Sequence, residues 1–533
     1  MVFTKIDCYF NIVKNIIMIE NKDFKILDCT LRDGGYYTNW DFDKDLVKTY
    51  FESFNKLPVE YLELGYRSNP MKSYLGEYFY CPQYVLENAK QLSDKKLVVI
   101  LNEKDIRAEH VPDLLSPCVG YLDMVRIAID PKNFKRALVL AQAVKKLGFE
   151  VGFNVMYMSL WEQEKDFLNQ IKDVQGIVDY FYMVDSFGGV YPEHVIKTYE
   201  LVRNQTDVKI GFHGHNNLEM GLINTLTAIE CGAAIVDATV TGMGRGAGNL
   251  STELLLTSLN AKGVVDLDFN ALSKVVDPFS KMQHEYGWGT NLPYMVSGAH
   301  SLPQKVVMEW VTKRYYSFNS IIRALSNQSQ GIKDNVELED FREDKKFKSV
   351  LIIGGGPSGT NQATAINEFI AKNPEICLIH VSSKNTKEFK DAQQLQIHCL
   401  AGNEGYRLEK TFDVISDTKK IVILPPYPRT MGTYIPKSLE KVAYQLKEIS
   451  FTDKFKESVT SLAIEAALKM DVEDIYVVGY DGYSGDITPQ ELELFNENEY
   501  IFKKLKEVSG LTPISITPTT YTELSHQSVF ALI

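Results

Sequence analysis

The stretch VKIGFHGHNN, from Val208 to Asn217, is a short apolar run that ends in two histidines one residue apart. It is the seventh of eight such runs. The others are Lys25–Thr30, Val59–Gly65, Lys96–Asn102, Met124–Ile129, Glu150–Tyr157, Tyr180–Ser186 and Ile235–Gly244. Helical patterns separate them, among them Phe42–Phe54, Asn133–Leu147 and Glu193–Arg203. Apolar runs of this length read as buried parallel strands. Eight of them alternating with helices predict an α/β fold closed into a TIM (β/α)8 barrel, with an open doubly wound sheet as the competitor.

Working outward, the barrel is expected over 24–275, after an N-terminal extension at 1–23 that is a poor signal peptide. Helical material begins near Ser251–Ala261 and continues as an extension over 276–326. There, Leu292–Gln304 is broken by Pro293 and Pro303. Residues 327–348 are polar and charged and read as a linker. A second, smaller Rossmann-like α/β domain is expected over 349–533. It starts with a strand at Ser349–Ile353, a glycine turn at Gly354–Gly359, a helix at Thr360–Ala371 and a strand at Glu375–Ser382. Further strands follow at Lys420–Leu424 and Asp474–Gly479.

The chain has 533 residues, 45% hydrophobic and 24% charged, with a net charge of −12. An acidic surface argues against non-specific nucleic-acid binding, which needs a basic face. No apolar run approaches the roughly 20 residues that span a bilayer. The seven cysteines are scattered, with no C-x-x-C pair. They read as reduced thiols, which leads to an expectation of a cytoplasmic protein.

His213 and His215 would project to the same side of a strand. The C-terminal ends of barrel strands form the active-site mouth, so the two imidazoles can converge there on one ion. Asp33, just after the first strand, is the best candidate for the completing carboxylate. The loop Thr241–Asn249 carries four glycines, and its backbone can approach a bound ion or substrate closely. Two imidazoles and one carboxylate leave open positions. They suit Mn, Mg, Co or Zn, and also Fe(II) in an oxygenase.

TLRDG at 30–34, GFHGHNN at 211–217 and GMGRGAGN at 242–249, taken together, resemble the DRE-TIM metallolyase superfamily. YMVDSFGG at 182–189 and VRIA at 125–128 are similar to its 4-hydroxy-2-oxovalerate aldolase branch. The resemblance implies a divalent metal on Asp33, His213 and His215, with Asn249 as a further ligand. It implies that Arg32 stabilises an enolate oxygen and that Ser186 and Asp185 touch the substrate. The implied activity is metal-dependent aldol cleavage or formation on a 2-oxo acid and an aldehyde, by a homodimer. A Claisen-type synthase using acyl-CoA on the same barrel is the enzymatic alternative, and a non-catalytic scaffold or glycan-pathway binding protein is another.

One position departs from that pattern. The aldolases have a histidine base three residues after the metal-binding aspartate, and here the residue is Tyr36. A tyrosine ionises near 10, so service as a base at neutral pH needs a shift of about 3 units. Tyr36 can instead bind substrate while Tyr294 or His300 moves the proton. Arg67, Arg126 and Arg245 are candidates for positive charge at the mouth, and Arg126 reads equally well as a salt-bridged residue inside the barrel.

Gly354, Gly356 and Gly359 fit G-x-G-x-x-G between a strand and a helix, with Ser358 inside the turn. The next strand ends in His380-Val381-Ser382-Ser383-Lys384, which lacks the acid that would hold an NAD ribose. GGGPS at 354–358 and VGYDGY at 478–483, including Asp481, resemble the Rossmann-like domains of bacterial sialyltransferases and flagellin-glycosylation accessory proteins. That resemblance implies a nucleotide or nucleotide-sugar ligand. A sheet domain that mediates assembly is the alternative.

Overall fold

The computed structural model describes residues 23–533 apart from 313–317, 332–335, 343–346, 402–407, 409–418, 430, 432–434, 484, 486 and 488. The expected N-terminal extension lies almost wholly outside the described residues, and so does part of the expected linker. The chain forms two compact units, residues 1–308 and 309–533.

In the first unit eight parallel strands close into a barrel in sequential order. They are β1 (Lys25–Asp28), β2 (Tyr61–Tyr66), β3 (Lys96–Asn102), β4 (Met124–Ile129), β5 (Glu150–Val155), β6 (Tyr180–Asp185), β7 (Lys209–Gly214) and β8 (Ile235–Ala238). Closure pairs β8 with β1, Lys25 against Ile235 through Asp28 against Ala238. All eight expected runs are strands. Outward-facing strand residues pack with the helices in one continuous core that includes Ile26, Leu62, Val99, Val125, Val151, Phe181, Phe212 and Val236.

The alternate residues point inward, and their chemistry changes along each strand. Near the N-terminal ends they are apolar or small, such as Leu27, Tyr61, Met124 and Ile235, which form a small inner core. One step further they are polar and buried: Glu63, Arg126, Asn154 and Asp237. Two glycines make room for this layer. A Cβ at Gly152 would lie 2.9 Å from the Arg126 side chain, and one at Gly211 would lie 2.6 Å from the Tyr182 ring.

The second unit contains an eight-stranded, all-parallel sheet. Its strands are β9 (Ser349–Ile353), β10 (Ile376–His380), β11 (Gln396–Cys399), β12 (Lys420–Leu424), β13 (Ala443–Gln445), β14 (Asp474–Val478), β15 (Ile514–Ser515) and β16 (Ser525–His526). The spatial order is 13-12-11-10-9-14-15-16. Val350 and Ile352 face one hydrophobic core, and Leu351 and Ile353 face another, so both faces of the sheet are covered. The strand order reverses beside β9, which has β10 on one side and β14 on the other. β11, β13, β15 and β16 were not expected from sequence. Each has two to four residues, too few to show a period.

None of the six described cysteines is in a disulfide, and Cys8 lies outside the described residues. No described helix is long and apolar enough to cross a membrane.

Candidate metal and substrate site at the barrel mouth

TLRDGGYYT, read from sequence only as a segment after the first strand, is a helix over Thr30–Thr38. Helical spacing explains the site's first half. Residues three and four apart share a face, so Arg32 and Asp33 stand over the same surface as Tyr36. The glycines at 34 and 35 are required by packing. A Cβ at Gly35 would lie 2.1 Å from the Trp40 ring, and one at Gly34 would lie 2.6 Å from Met243 Sδ.

Arg32, Asp33, Tyr36, Ser186, His213, His215 and Arg245 line one cavity of about 530 Å³ at the C-terminal ends of the strands. The two imidazoles lie with ring centroids 5.0 Å apart. His213 Nδ1 is 2.8 Å from Asp237 Oδ2, and His215 Nδ1 is 2.7 Å from the Asp185 carbonyl oxygen. Both partners are acceptors, so both Nδ1 atoms carry the proton and each Nε2 keeps a free lone pair. That tautomer suits a metal ligand held by a second partner. Burial, helped by His213, pushes His215 down to about 3, so it stays neutral.

Asp33 completes the group. Burial works to raise its carboxyl, but the Arg32 guanidinium, helped by the hydrogen bond from Asn249, holds it below the usual value. One carboxylate oxygen pairs with Arg32 Nη1, and the other accepts from Asn249 Nδ2 at 2.7 Å. Asn249 reaches it because the glycine loop doubles back. His215 bridges to Asn249, and the Asn216 amide donates to the Gly248 carbonyl at 2.9 Å. Gly248 has φ +77°, and a Cβ there would lie 2.2 Å from the Gly242 carbonyl oxygen. Asn249 Oδ1 is buried without a hydrogen-bond partner. An orphaned oxygen beside a carboxylate and two free imidazole nitrogens fits a hard or borderline divalent cation.

Cys29, His213 and Asp237 also bring potential ligand atoms within 4.8 Å of one another. That grouping fits an ion less well. Burial pushes the Cys29 thiol well up, so it stays protonated. Asp237 Oδ2 is already occupied by His213 and by Arg126 Nη2.

Asp237 is one of the residues that sequence reasoning missed, and Glu63 is another. Glu63 Oε2 accepts from Arg32 Nε at 2.7 Å and lies 3.3 Å from Arg126 Nη1. Arg126 Nε donates to Asn154 Oδ1 at 2.8 Å, and its guanidinium lies 4.2 Å from the Tyr182 ring centroid. This buried layer fixes Arg32 and His213 from below. Breaking such a group by deleting one partner costs about 3–5 kcal/mol. The available signal was a charge inside an apolar strand, as in YLELGY over 61–66 and IVDA over 235–238.

A third missed residue is Tyr66. Its hydroxyl lies 2.9 Å from that of Tyr36. The β2–β3 register shifts between Glu63 and Gly65, so both Glu63 and Tyr66 serve the mouth despite their odd spacing. Arg245 lies over the Tyr36 ring with its guanidinium carbon 4.4 Å from the centroid.

Other candidates sit elsewhere. Arg67, just past β2, is half-buried and does not line the cavity; its guanidinium is consumed by the carbonyls of Leu114, Tyr80 and Cys81. Arg126 is fully buried in the ion-pair layer and does not line the cavity. Asp185 does not line it either; its carboxylate accepts from the amides of Gly189 and Val190. Tyr294 is buried behind the glycine loop, near Gly246. His300 is exposed, just past the helix Leu292–Ala299. Neither faces the cavity. Ser186 does, and its Oγ accepts from the Tyr157 amide at 2.8 Å.

In the second unit, Gly354–Gly359 follows β9 at the place where the strand order reverses. Asp481 fills the turn. Its carboxylate accepts from the Ser358 amide at 3.1 Å and from Ser358 Oγ at 2.9 Å. Asn385 Nδ2 donates to the carbonyls of Gly354 and Gly356. A Cβ at Gly356 would lie 1.9 Å from Asp481 Oδ2, and one at Gly359 would lie 2.4 Å from Asn385 Nδ2.

A closed parallel barrel with a polar cavity at the C-terminal ends of its strands defines a class, the TIM-barrel enzymes. Comparison with known proteins narrows it. The HMGL-like family profile matches residues 117–277. The oxaloacetate decarboxylase of Mycobacterium tuberculosis (strain ATCC 25618 / H37Rv) is 33% identical over 258 residues, covering 46% of this chain and 73% of that protein. The 4-hydroxy-2-oxovalerate aldolase of Geobacillus genomosp. 3 is 30% identical over 262 residues, covering 48% of this chain and 77% of that protein. A crystal structure of the N-terminal domain of a candidate aldolase from Bacteroides vulgatus is 55% identical. It aligns over 56% of this chain and all of that domain, with a TM-score of 0.55. The chain belongs to the HMGL-like family.

Proposed function

We propose that this chain is a divalent-metal-dependent lyase that forms or cleaves a carbon–carbon bond of a 2-oxo acid. The observation that carries this is the fixing of His213 and His215 through their Nδ1 atoms, beside Asp33, in one cavity. Relatives of the same family named as an oxaloacetate decarboxylase and a 4-hydroxy-2-oxovalerate aldolase support it.

Asp33, His213 and His215 would hold the ion, with Asn249 Oδ1 as a further donor. When bound, the ion supplies a Lewis acid for the keto oxygen of the substrate. Arg32 has Nε and Nη1 engaged by Glu63 and Asp33, so its guanidinium is pre-oriented to bind the same oxygen as negative charge develops there. Ser186 Oγ orients the substrate. The Tyr36 hydroxyl, backed by Tyr66, moves the proton at the carbon next to the keto group.

The tyrosine pair favours a second reading alongside aldol cleavage. Burial pushes the Tyr66 hydroxyl well up. A Tyr66 hydroxyl that keeps its proton makes the pair better suited to protonating an enolate than to deprotonating an alcohol. Loss of CO₂ from a 3-carboxy-2-oxo acid needs only the former; aldol cleavage needs both. Purified protein given oxaloacetate, then pyruvate with aldehydes, then acetyl-CoA with 2-oxo acids separates decarboxylase, aldolase and synthase. Tyr36→Phe should lower the productive rate about 100-fold with little change in KM. Turnover in none of the three assays would refute the lyase reading.

For residues 349–533 a nucleotide-type ligand is supported by topology alone, by the glycine turn at the reversal of strand order. The Asp481 carboxylate on the Ser358 amide disfavours a phosphate at that amide. Equilibrium dialysis against CMP and UDP-sugars tests this. The homodimer and the cytoplasmic location rest on the family resemblance and on the cysteines; light scattering of the purified chain tests the former.

A further inference from the structure

The cavity extends well beyond its metal-binding edge. At about 530 Å³ it is of the size that holds a drug-sized ligand, and a pyruvate-sized acid fills only a small part of it. In an eight-stranded closed barrel, β3 stands opposite β7. His213 and His215 come from β7, whereas Lys104 follows β3 across the mouth. Lys305, at the start of the helix Gln304–Thr312, lines the cavity as well.

The charges in the cavity divide into paired and unpaired groups. Arg32 is bound by Asp33 and Glu63. Lys132 Nζ lies 3.6 Å from Glu164. Arg245, over the Tyr36 ring, and Asp130, which accepts from the Lys132 amide at 3.0 Å, carry opposite charges, each outside any ion pair among the described residues. Among the described residues, neither Lys104 nor Lys305 has an acid within ion-pair distance. On a chain of net charge −12, two unpaired ammonium groups at a cleft make a local positive field that the rest of the surface opposes. Tyr157 and Phe187 stack with centroids 5.4 Å apart and line the same cavity, giving a carbon chain a flat wall. Tyr157 adopts φ +62°, a conformation rare for a bulky residue, with its amide bound to Ser186 Oγ.

We propose that the second reactant, the fragment that leaves or joins the 2-oxo acid, carries an anionic group bound by Lys104 and Lys305. This rests on the lyase reading above and specifies its substrate class: an aldehyde with a terminal carboxylate or phosphate. The compact, rotatable ammonium groups accept either anion.

The test condenses pyruvate with glyceraldehyde 3-phosphate, with succinic semialdehyde and with butanal, using metal-loaded full chain. The two anionic aldehydes should exceed butanal in kcat/KM by about tenfold, as expected for new charge-assisted hydrogen bonds. Which of the two leads distinguishes phosphate from carboxylate. The double variant Lys104→Ala/Lys305→Ala should erase the preference, a ratio that general loss of folded protein does not move. Equal kcat/KM for charged and neutral aldehydes, or a preference that survives in the double variant, would overturn the inference. Wild-type exchange of pyruvate methyl protons, measured alongside, separates the two levels. Exchange without a charge preference overturns this inference alone, and no exchange overturns the lyase reading and this inference together.

Discussion

The barrel mouth and the glycine turn of the second sheet are built from similar parts, an aspartate, an asparagine and a run of glycines at strand ends. They use them in opposite ways. At the mouth, each polar group is held from behind and left open in front. His213 is held by Asp237, His215 by the Asp185 carbonyl and Asp33 by Arg32, while Asn249 Oδ1 has no partner. At the turn, Asp481 and Asn385 face inward and satisfy the loop's own amides and carbonyls. The first arrangement is a site prepared for a ligand. The second is a loop braced by its own side chains.

Substitutions can break that contrast, and the largest effect is expected at the front of the mouth. Asp33→Ala should lower turnover by about 10³-fold or more and release stoichiometric metal, checked by elemental analysis and steady-state rates. A smaller loss is expected from behind. Asp237→Asn keeps the shape but weakens the partner of His213. Metal affinity or activity should fall about 10–100-fold, and the chain should also unfold at lower temperature because Arg126 loses one of its two counter-charges.

Below the mouth, Asp28 accepts from Tyr50, Thr252 and the Thr30 amide. Burial nevertheless raises its carboxyl to about 6, against about 3.9 when unfolded. Between those values the folded chain keeps a proton that the unfolded chain has released. Stability from this group therefore falls as pH rises from about 4 to about 6, by up to about 3 kcal/mol. Urea midpoints across that range should show the slope in the wild type, and Asp28→Asn should flatten it. The smallest catalytic effect is expected at the second turn. Asp481→Asn should leave lyase turnover unchanged while costing about 1 kcal/mol of stability in its own unit, as its hydrogen bonds to Ser358 lose their charge. A matching loss of turnover would mean that the braced loop serves the reaction.

The contrast also shows how far the sequence could be read. The eight strands were legible because each is an unbroken apolar run bounded by helical periodicity. His213, His215 and Asp33 were legible because strand spacing and strand order bring them to one mouth. Arg67, Tyr294 and His300 were candidates for charge or proton transfer at the mouth, and contacts decided otherwise. Arg67 meets three carbonyls, Tyr294 packs behind the loop and His300 is exposed. Tyr66 was hidden by a bulge that breaks the period of two, and no periodicity argument recovers a residue displaced in this way. Glu63 and Asp237 left a trace as charges within buried strands, but only the closed barrel shows whose partners they are. At the glycine turn the motif was correctly placed between strand and helix, whereas the carboxylate occupying it comes from more than 120 residues later in the chain.

The central claim is that Asp33, His213 and His215 hold an ion that lets this chain enolise a 2-oxo acid. Deuterium incorporation into the pyruvate methyl group, followed by mass spectrometry in D₂O, tests it most directly. Wild-type protein loaded in turn with Mn²⁺, Mg²⁺, Co²⁺ or Zn²⁺ should exchange those protons with at least one ion, and His213→Ala should neither hold the ion nor exchange. Fully loaded wild type that leaves the methyl group unlabelled, or a His213→Ala variant that exchanges at the wild-type rate, would contradict the account.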